Sequence, residues 1–225
     1  MHKKFVIIVA GGTGSRMQTN IPKQFIEINN EPIIIKTIKT FLNYEVDIDI
    51  IICVHPNFKA YLEELIGIHF LNTNTIRITL GGDTRFQSVK NGLALVNDET
   101  AIVGIHDAAR PLVSLQTIKN CFNTAQEKGN AIPCILVSET LRKVDGLLNT
   151  QVDRTQFRII QTPQCFLASK IKQAYKQTYN IQFTDDATVL EQIGETIHLV
   201  EGNVENIKIT HPADLAIAKT LFNND

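Results

Sequence analysis

A glycine-rich turn near the start of the chain is the sharpest sign of chemistry in the sequence. It follows the apolar run 5–10, and two cations, Arg16 and Lys23, come shortly after it. Glycine lets the backbone turn tightly and bring N–H groups against phosphate oxygens, while the cations add positive charge. The residues of this predicted phosphate cradle are Ala10, Gly11, Gly12, Thr13, Gly14 and Ser15. A turn without a ligand is the alternative; a dinucleotide fingerprint fails because Met17 replaces its last glycine.

A second cluster, residues 81–88, carries groups that could read a nucleobase. Gly82, Asp83 and Ser88 lie between a predicted strand and a predicted helix. Open α/β sheets bind ligands at the carboxyl ends of their strands, so these groups could match the hydrogen-bonding edge of a base. Asp83 or Thr84 as the N-cap of the helix is an equally good interpretation, and the two are compatible.

A third cluster, residues 106–111, also ends a predicted strand. Asp107 could accept from sugar hydroxyls or bind Mg²⁺, directly or through water, and Arg110 could hold a polyol or a phosphate. A buried Asp–Arg pair with only a structural role is the alternative. His106 is interpreted as a packed neighbour rather than a base, and the other histidines lack zinc-binding spacing.

Four later motifs are weak when taken singly: 152–154, 161–164, 184–187 and 206–210. Thr184 precedes two acidic residues, and Thr210 lies two positions before Pro212. Both patterns are also typical of ordinary helix N-termini. Lys208 lies inside a predicted apolar strand, so we expect its side chain to point into a site or to solvent at an edge.

The elements that must position these residues form an α/β pattern. We predict a Rossmann-like, doubly wound, mostly parallel sheet, because short β-branched runs alternate with helical periodicity throughout. Its strands are predicted near 5–10, 48–55, 75–81, 101–106, 130–138, 157–161, 196–200 and 206–210. Single-faced helices are predicted over 84–97 and 114–129. No linker or repeat divides the chain, so residues 1–225 are predicted to be one nucleotide-binding domain.

The segment 138–156 departs from this rhythm. The pair Asp145-Gly146 separates 140–144 from 147–148, which is typical of a two-residue hairpin. A hairpin cannot join the parallel core, and a two-stranded arm is marginally stable alone. We therefore predict a projecting arm that packs on a second subunit.

Composition excludes several classes of function. The 225 residues carry a formal net charge of -1 and 44% hydrophobic residues, typical of a globular protein without a basic field for nucleic acid. No apolar run approaches the ~20 residues that span a bilayer. The cysteines form no CxxC pair and lie in apolar runs, so we expect reduced thiols and a cytoplasmic location.

Taken together and in order, these motifs resemble the 2-C-methyl-D-erythritol 4-phosphate cytidylyltransferase family. The resemblance covers about residues 5 to 219. It implies transfer of CMP from CTP to the polyol phosphate in non-mevalonate isoprenoid synthesis, with Mg²⁺ and a homodimer. Glu139 stands where the family often has Asp, and Gly11 where it commonly has Ala; neither change removes a functional group.

The same resemblance implies roles for individual residues. Arg16 and Lys23 would bind the CTP phosphates, with Arg154 and Lys208 as further catalytic cations, Lys208 on the acceptor phosphate. The cytosine would lie among Ala10, Gly11, Gly82, Asp83 and Ser88, and the ribose at Asp107 and Ala108. Asp107, Arg110, Thr162 and Thr184 would face the polyol. Thr140 and Arg154, beside the hairpin, would reach the partner's site. No residue is assigned as a direct metal ligand; Asp107 is the candidate.

The related ribitol-5-phosphate cytidylyltransferases are the alternative, but they tend to have Asp-Ala-Val-Arg-Pro and Val-Arg-Asn. This chain has Ala109, Asp153 and Arg154 at the differing positions. Sugar-1-phosphate nucleotidylyltransferases share only the opening glycine turn. A Rossmann oxidoreductase is opposed by Met17, and a non-catalytic nucleotide-binding module by the retained cations.

Overall fold

The computed structural model of the protein describes residues 2–12 and 21–223. The strands are β1 Lys4–Ala10, β2 Glu27–Ile28, β3 Glu31–Pro32, β4 Asp49–Val54, β5 Ile76–Leu80, β6 Ile102–Asp107, β7 Asn130–Leu136, β8 Arg142–Asp145, β9 Leu148–Gln151, β10 Arg158–Ile160, β11 Gln164–Leu167 and β12 Leu199–Glu201. The α-helices are α1 Ile33–Tyr44, α2 Lys59–His69, α3 Arg85–Leu93, α4 Leu115–Lys128, α5 Ala168–Ala174, α6 Asp186–Glu191 and α7 Pro212–Phe222. Among the described residues, short 3₁₀ helices cover Lys23–Phe25, Pro56–Phe58 and Arg154–Gln156.

The central sheet has eight strands in the order β10-β7-β11-β6-β1-β4-β5, with β12 also paired to β7. The pairs among β6, β1, β4 and β5 are parallel, and so is the pair of β12 with β7. Strand β11 runs antiparallel between β6 and β7, and β10 is antiparallel to β7. The predicted α/β class and mostly parallel sheet are confirmed.

Strand β1 shows why the sheet lies at the centre of the core. Its side chains alternate between two faces, as the two-residue period of a strand requires. Val6 and Ile8 pack in a cluster with helices α1, α2 and α4, and Phe5 and Ile7 pack in a second cluster with α3, α5 and α6. A strand buried on both faces becomes a continuous apolar run, which the sequence has at 5–10.

Both explicitly predicted helices are present. Helix α4 begins after Ser114, whose side chain accepts from Thr117 N–H, and ends at Gly129 with φ +90°. Helix α3 ends at Leu93, four residues before the predicted boundary. Val96 remains buried beyond that end, so the apolar period continues past the helix itself.

The predicted strand at 206–210 is wrong. This segment is irregular, and its backbone bond from Ile209 N–H to the Ala109 carbonyl is a single contact rather than part of a ladder. Its apolar character instead reflects Ile209, which is buried in a third cluster with Ile28 and Ile33. Strand β11 was not predicted, because its four residues follow a motif that reads as a loop.

The hairpin arm is present, with β8 and β9 pairing only with each other. Its turn lies one residue later than predicted, at Gly146-Leu147, since Asp145 pairs with Leu148. Gly146 has φ +58°, a conformation that glycine adopts without strain. Every residue of both strands is exposed.

All four cysteines are free and buried, as expected. Within the parts of the chain that the structure describes, no helix has both the length and the apolar character needed to cross a bilayer.

Candidate active site

A pocket of about 360 Å³ lies at the carboxyl edge of the parallel strands. Open α/β sheets bind ligands at this edge. It is lined by Val9, Ala10, Gly11, Gly12, Lys23, Gln24, Gly82, Asp83, Thr84, Arg85, Ser88, Asp107, Ala108, Ala109, Lys208 and Thr210. The structure therefore brings together the described part of the glycine turn, the second cluster, Asp107 and Lys208.

One wall of the pocket is formed by two loops in close contact. A Cβ on Gly11 would lie 3.1 Å from Ser88 Oγ, so the glycine turn approaches the second cluster more closely than most side chains allow. Ser88 is buried; its hydroxyl accepts from Gly82 N–H and donates to the Thr84 carbonyl, both at 3.0 Å. Thr84 also caps α3 by accepting from Gln87 N–H, as one of the two sequence interpretations predicted.

Two hydrogen bonds from Gln24 hold the described part of the glycine turn. The buried side-chain amide of Gln24 donates to the carbonyls of Ala10 and Gly12, at 2.8 and 3.0 Å. These bonds fix the backbone beyond β1, where the N–H groups of a phosphate cradle must point in one direction. The remaining predicted cradle residues, Thr13, Gly14 and Ser15, and the cation Arg16 lie outside the described residues.

Asp107 is the carboxylate around which positive charges gather. Lys208 Nζ lies 3.0 Å from its Oδ2, Arg110 Nε donates to the same oxygen at 3.2 Å, and Arg85 Nε lies 3.7 Å from Oδ1. Burial alone would raise the pKa of Asp107, but the three cations outweigh it and hold that pKa well below its usual value. Asp107 is therefore ionised, and the cluster around it carries a net positive charge that suits an anion.

Arg85 extends this cluster towards α6. It donates from both terminal nitrogens to the buried carboxylate of Asp186, at 2.8 and 2.7 Å. Tyr175 donates its hydroxyl to the same carboxylate at 2.6 Å. Burial would lower the pKa of Arg85, but Asp186 raises it above its usual value. One guanidinium thus joins the pocket to the helix that follows Thr184.

The irregular segment 206–210 contains Lys208 and is also bonded to Lys23. Lys23 Nζ donates to the Ile209 carbonyl at 2.8 Å, one residue beyond Lys208. Arg110 donates to the Asn206 carbonyl at 2.8 Å, so the same segment is bonded to a second cation. The backbone of this segment therefore sets the spacing of three predicted site cations.

Several predicted site residues do not line the pocket. Thr140, Arg154 and Thr184 are exposed, and Arg154 donates to the Ser138 carbonyl within the arm. Arg110 has a largely buried side chain that pairs with Asp107 Oδ2. Thr162 is buried, and its hydroxyl is bonded to His106 and to Asp107 N–H. His106 is fully buried, as a packed neighbour should be, and burial lowers its pKa to about 4.

Arg85, Gln24 and Thr210 line the pocket although they were not chosen as site residues from the sequence. Arg85 lies in the cluster 81–88, Thr210 in the motif 206–210, and Gln24 directly after Lys23, and these placements were the available signal. Their partners lie elsewhere in the chain, which no local pattern shows. Among the described residues there is no group of three His, Cys, Asp or Glu side chains that could hold a metal ion.

Nucleotidyltransferases are the class of enzyme that this arrangement indicates. The described part of the glycine turn and the second cluster line the pocket together with Lys23, Arg85 and Lys208, and no described histidine lines it as a general base. Such a site brings phosphorylated groups together by charge and position rather than by proton abstraction.

Comparison with known proteins identifies the particular family. The family model described as 2-C-methyl-D-erythritol 4-phosphate cytidylyltransferase matches residues 4–224. The enzyme of that name from Bacteroides thetaiotaomicron is 42% identical over 220 residues, covering 98% of this chain and 100% of the relative. The one from Geobacillus kaustophilus is 37% identical, covering 96% and 95%.

Solved structures agree with this comparison. The crystal structure of the Francisella tularensis enzyme of this name superposes with a TM-score of 0.80 at 29% identity, over 97% of this chain and 99% of that one. The Thermus thermophilus structure gives 0.78 at 28% identity, over 99% and 100%. The chain belongs to the 2-C-methyl-D-erythritol 4-phosphate cytidylyltransferase family and is a nucleotidyltransferase. The resemblance seen in the sequence is confirmed, and the ribitol-phosphate alternative is not favoured.

Proposed function

We propose that the chain transfers CMP from CTP to 2-C-methyl-D-erythritol 4-phosphate, giving the CDP-alcohol and pyrophosphate for non-mevalonate isoprenoid synthesis. The observation that carries this proposal is the family match over residues 4–224, which includes every element that lines the pocket. A cation-rich pocket also suits two phosphorylated substrates, whose mutual repulsion must be offset before they react.

The chemistry needs no general base. An oxygen of the acceptor's phosphate, already anionic at neutral pH, attacks the α-phosphorus of CTP, and the bond from that phosphorus to pyrophosphate breaks. The protein must align the attacking oxygen with the leaving group and stabilise the negative charge that builds on the phosphoryl oxygens. The burial of His106, whose nitrogens are both bonded, is consistent with such a mechanism.

The nucleotide would occupy the side of the pocket formed by the glycine turn and the second cluster. Gly82, Asp83 and Ser88, with Ala10 and Gly11 beside them, would surround the cytosine. Lys23, together with Arg16, would neutralise the triphosphate. The bond from Lys23 to the Ile209 carbonyl supports this role, because it holds the ammonium at the wall of the pocket that Lys23 lines.

The acceptor would bind on the opposite side, at Asp107, Arg110 and Lys208. We propose that Lys208 holds its phosphate, since Lys208 is the more exposed of the two cations on Asp107 Oδ2, at 41% against 13% for Arg110. Asp107 and Arg110 would then face the hydroxyls, with Thr184 at the far edge and Thr140 and Arg154 supplied from the arm.

A Mg²⁺ ion fits this site only as a companion of the triphosphate. Mg²⁺ in such enzymes uses one or two carboxylates together with substrate phosphates and water. Asp107 would be its protein ligand, and the ion would add positive charge at the phosphates. Because three cations already surround Asp107, the protein alone does not offer the ion a complete set of ligands.

We further propose a cytoplasmic homodimer whose arms cross between subunits. The arm exposes Val144, Leu147 and Leu148, and the neighbouring edge strand β10 exposes Ile159. A two-stranded arm with exposed apolar side chains needs a partner surface, and a second copy supplies one by symmetry. The buried free cysteines suit a reducing compartment.

The test is an assay of pyrophosphate release with CTP, Mg²⁺ and one of two acceptors, 2-C-methyl-D-erythritol 4-phosphate or ribitol 5-phosphate. We expect release with the first acceptor and little with the second. UTP in place of CTP is the matched control for the base. Equal rates with the two acceptors, or no release with either, would contradict the proposal.

A further inference from the structure

The turn 107–110 presents most of the acceptor side of the pocket. It begins where β6 ends, and Arg110 N–H closes it by donating to the Asp107 carbonyl at 3.1 Å. Asp107, Ala108 and Ala109 line the pocket from it. A small displacement of this turn would move all of these groups together.

Two buried side chains bond to the two ends of this turn. Thr162 Oγ1 accepts from Asp107 N–H at 3.1 Å, at the first residue. His106 Nε2 lies 3.0 Å from the Arg110 carbonyl, at the last residue. His106 Nδ1 lies 3.0 Å from Thr162 Oγ1, so the two side chains are bonded to each other as well.

The directions of these bonds follow from the chemistry of the groups. A carbonyl only accepts, so Nε2 of His106 must carry the ring proton and donate to Arg110. Nδ1 is then an acceptor, and the Thr162 hydroxyl gives its single proton to it. His106 is fully buried, and burial favours the uncharged ring with a single N–H.

This use of the Thr162 hydroxyl is unlike that of a substrate contact. Its one proton is already given to His106, and Thr162 is only 5% exposed and does not line the pocket. We infer that His106 and Thr162 form a buried clamp that positions the 107–110 turn, and that Thr162 acts on the acceptor through this turn instead of touching it. The inference rests on the proposed function for its acceptor and assigns both as positioning residues.

The experiment removes each half of the clamp and then both. Thr162→Val and His106→Phe keep the approximate shapes and lose the bonds, and Thr162→Ser keeps the hydroxyl. Thr117→Val is the matched control, since Thr117 is buried in α4 and its hydroxyl bonds to Ser114 and Asn203. Steady-state kcat and the KM of each substrate are measured, with CTP binding and thermal unfolding as checks on folding.

We expect Thr162→Val and His106→Phe each to lower kcat/KM for the acceptor by about tenfold to hundredfold, the scale of effect caused by misplaced groups. The double variant should be no worse than the poorer single variant, because both act through one turn. Thr162→Ser should recover most of the activity, and Thr117→Val should match wild type. Two results would show that Thr162 contacts the acceptor and that the clamp is wrong. In the first, Thr162→Val lowers activity and His106→Phe does not; in the second, the two losses multiply in the double variant.

A second measurement does not depend on catalysis or on a variant that folds. Nitrogen-15 NMR of the imidazole of wild-type His106 reports which ring nitrogen carries the proton. The clamp requires the Nε2–H form with Nδ1 accepting, and a proton on Nδ1 would overturn it. If the wild type releases no pyrophosphate, the proposed function fails, while the NMR result still decides whether the clamp exists.

Discussion

The pocket and the hairpin arm both hold predicted site residues, and they hold them very differently. Asp107 is buried among three cations, and the turn that carries it is bonded at both ends. Thr140 and Arg154 are exposed on or beside an arm whose two strands pair only with each other. The position of Asp107 is therefore set by contacts within the chain, whereas Thr140 and Arg154 would be fixed by the partner surface of the proposed dimer.

The largest loss of activity should come from removing the positive charge of Lys23, which lines the pocket. We expect Lys23→Ala to lower kcat by ~10²–10³-fold with a smaller change in CTP binding, because Lys23 would matter most as charge builds at the α-phosphate. Steady-state kinetics at saturating substrates measure this. Lys59→Ala, on an exposed lysine of α2, is the control. A Lys23→Ala enzyme with over half the wild-type kcat would remove this residue from the mechanism.

The arm is tested by complementation between subunits. Arg154→Ala should be inactive alone because Arg154 would supply a phosphate contact across the interface. Mixed with inactive Lys23→Ala subunits under exchange, about half of the dimers are mixed and each holds one intact site, so activity should return to about a quarter of wild type. Mass measurement of the mixed dimer is the control. Exchange without recovered activity would mean that Arg154 acts in its own subunit.

A smaller effect should distinguish a glycine substitution in the arm from a matched substitution elsewhere in the fold. Gly146 and Gly194 both have positive φ and open space around the Cβ position. Changing either to Ala introduces left-handed strain of roughly 1–2 kcal/mol. We expect Gly146→Ala to weaken dimerisation and lower activity, measured by sedimentation and pyrophosphate release. Gly194→Ala should affect only unfolding, and equal loss of activity in the two variants would contradict a special role of the arm.

The smallest effect concerns an ion-pair cluster at the start of α1, whose residues do not line the pocket. Glu31 precedes α1 and pairs with Lys39 and with Lys36, the latter at 3.3 Å. Burial would raise its pKa, but these lysines lower it from 4.5. Glu31 therefore contributes stability above that value, and the contribution is lost as the pH falls through the lowered pKa.

Glu31→Gln should accordingly cost about 1 kcal/mol or less at neutral pH and nothing in acid. Urea unfolding of the variant and the wild type at both pH values measures this difference. A difference that persists unchanged in acid would show that the ion pairs are not its source.

The features that could be predicted from the sequence are those with a local physical cause. Alternating burial made β1 an apolar run, helical periodicity marked α4, and a turn pair marked the arm. The strand predicted at 206–210 was wrong because an apolar pattern indicates burial and not a particular secondary structure. Ile209 is buried by packing on β2 and α1 rather than within a sheet. Strand β11 is too short to have a pattern of its own.

The sequence by itself therefore determined the α/β class, the projecting arm and the types of group that could bind phosphate, since each depends on neighbours within about a dozen residues. Only the tertiary structure decided that Arg85, Arg110 and Lys208 meet at Asp107, and that the Thr162 hydroxyl bonds to His106. The buried, ionised carboxylate of Asp107 needs these cations near it, because an unpaired buried charge is costly. This dependence joins residues far apart in the chain, and it exists only once the chain has folded.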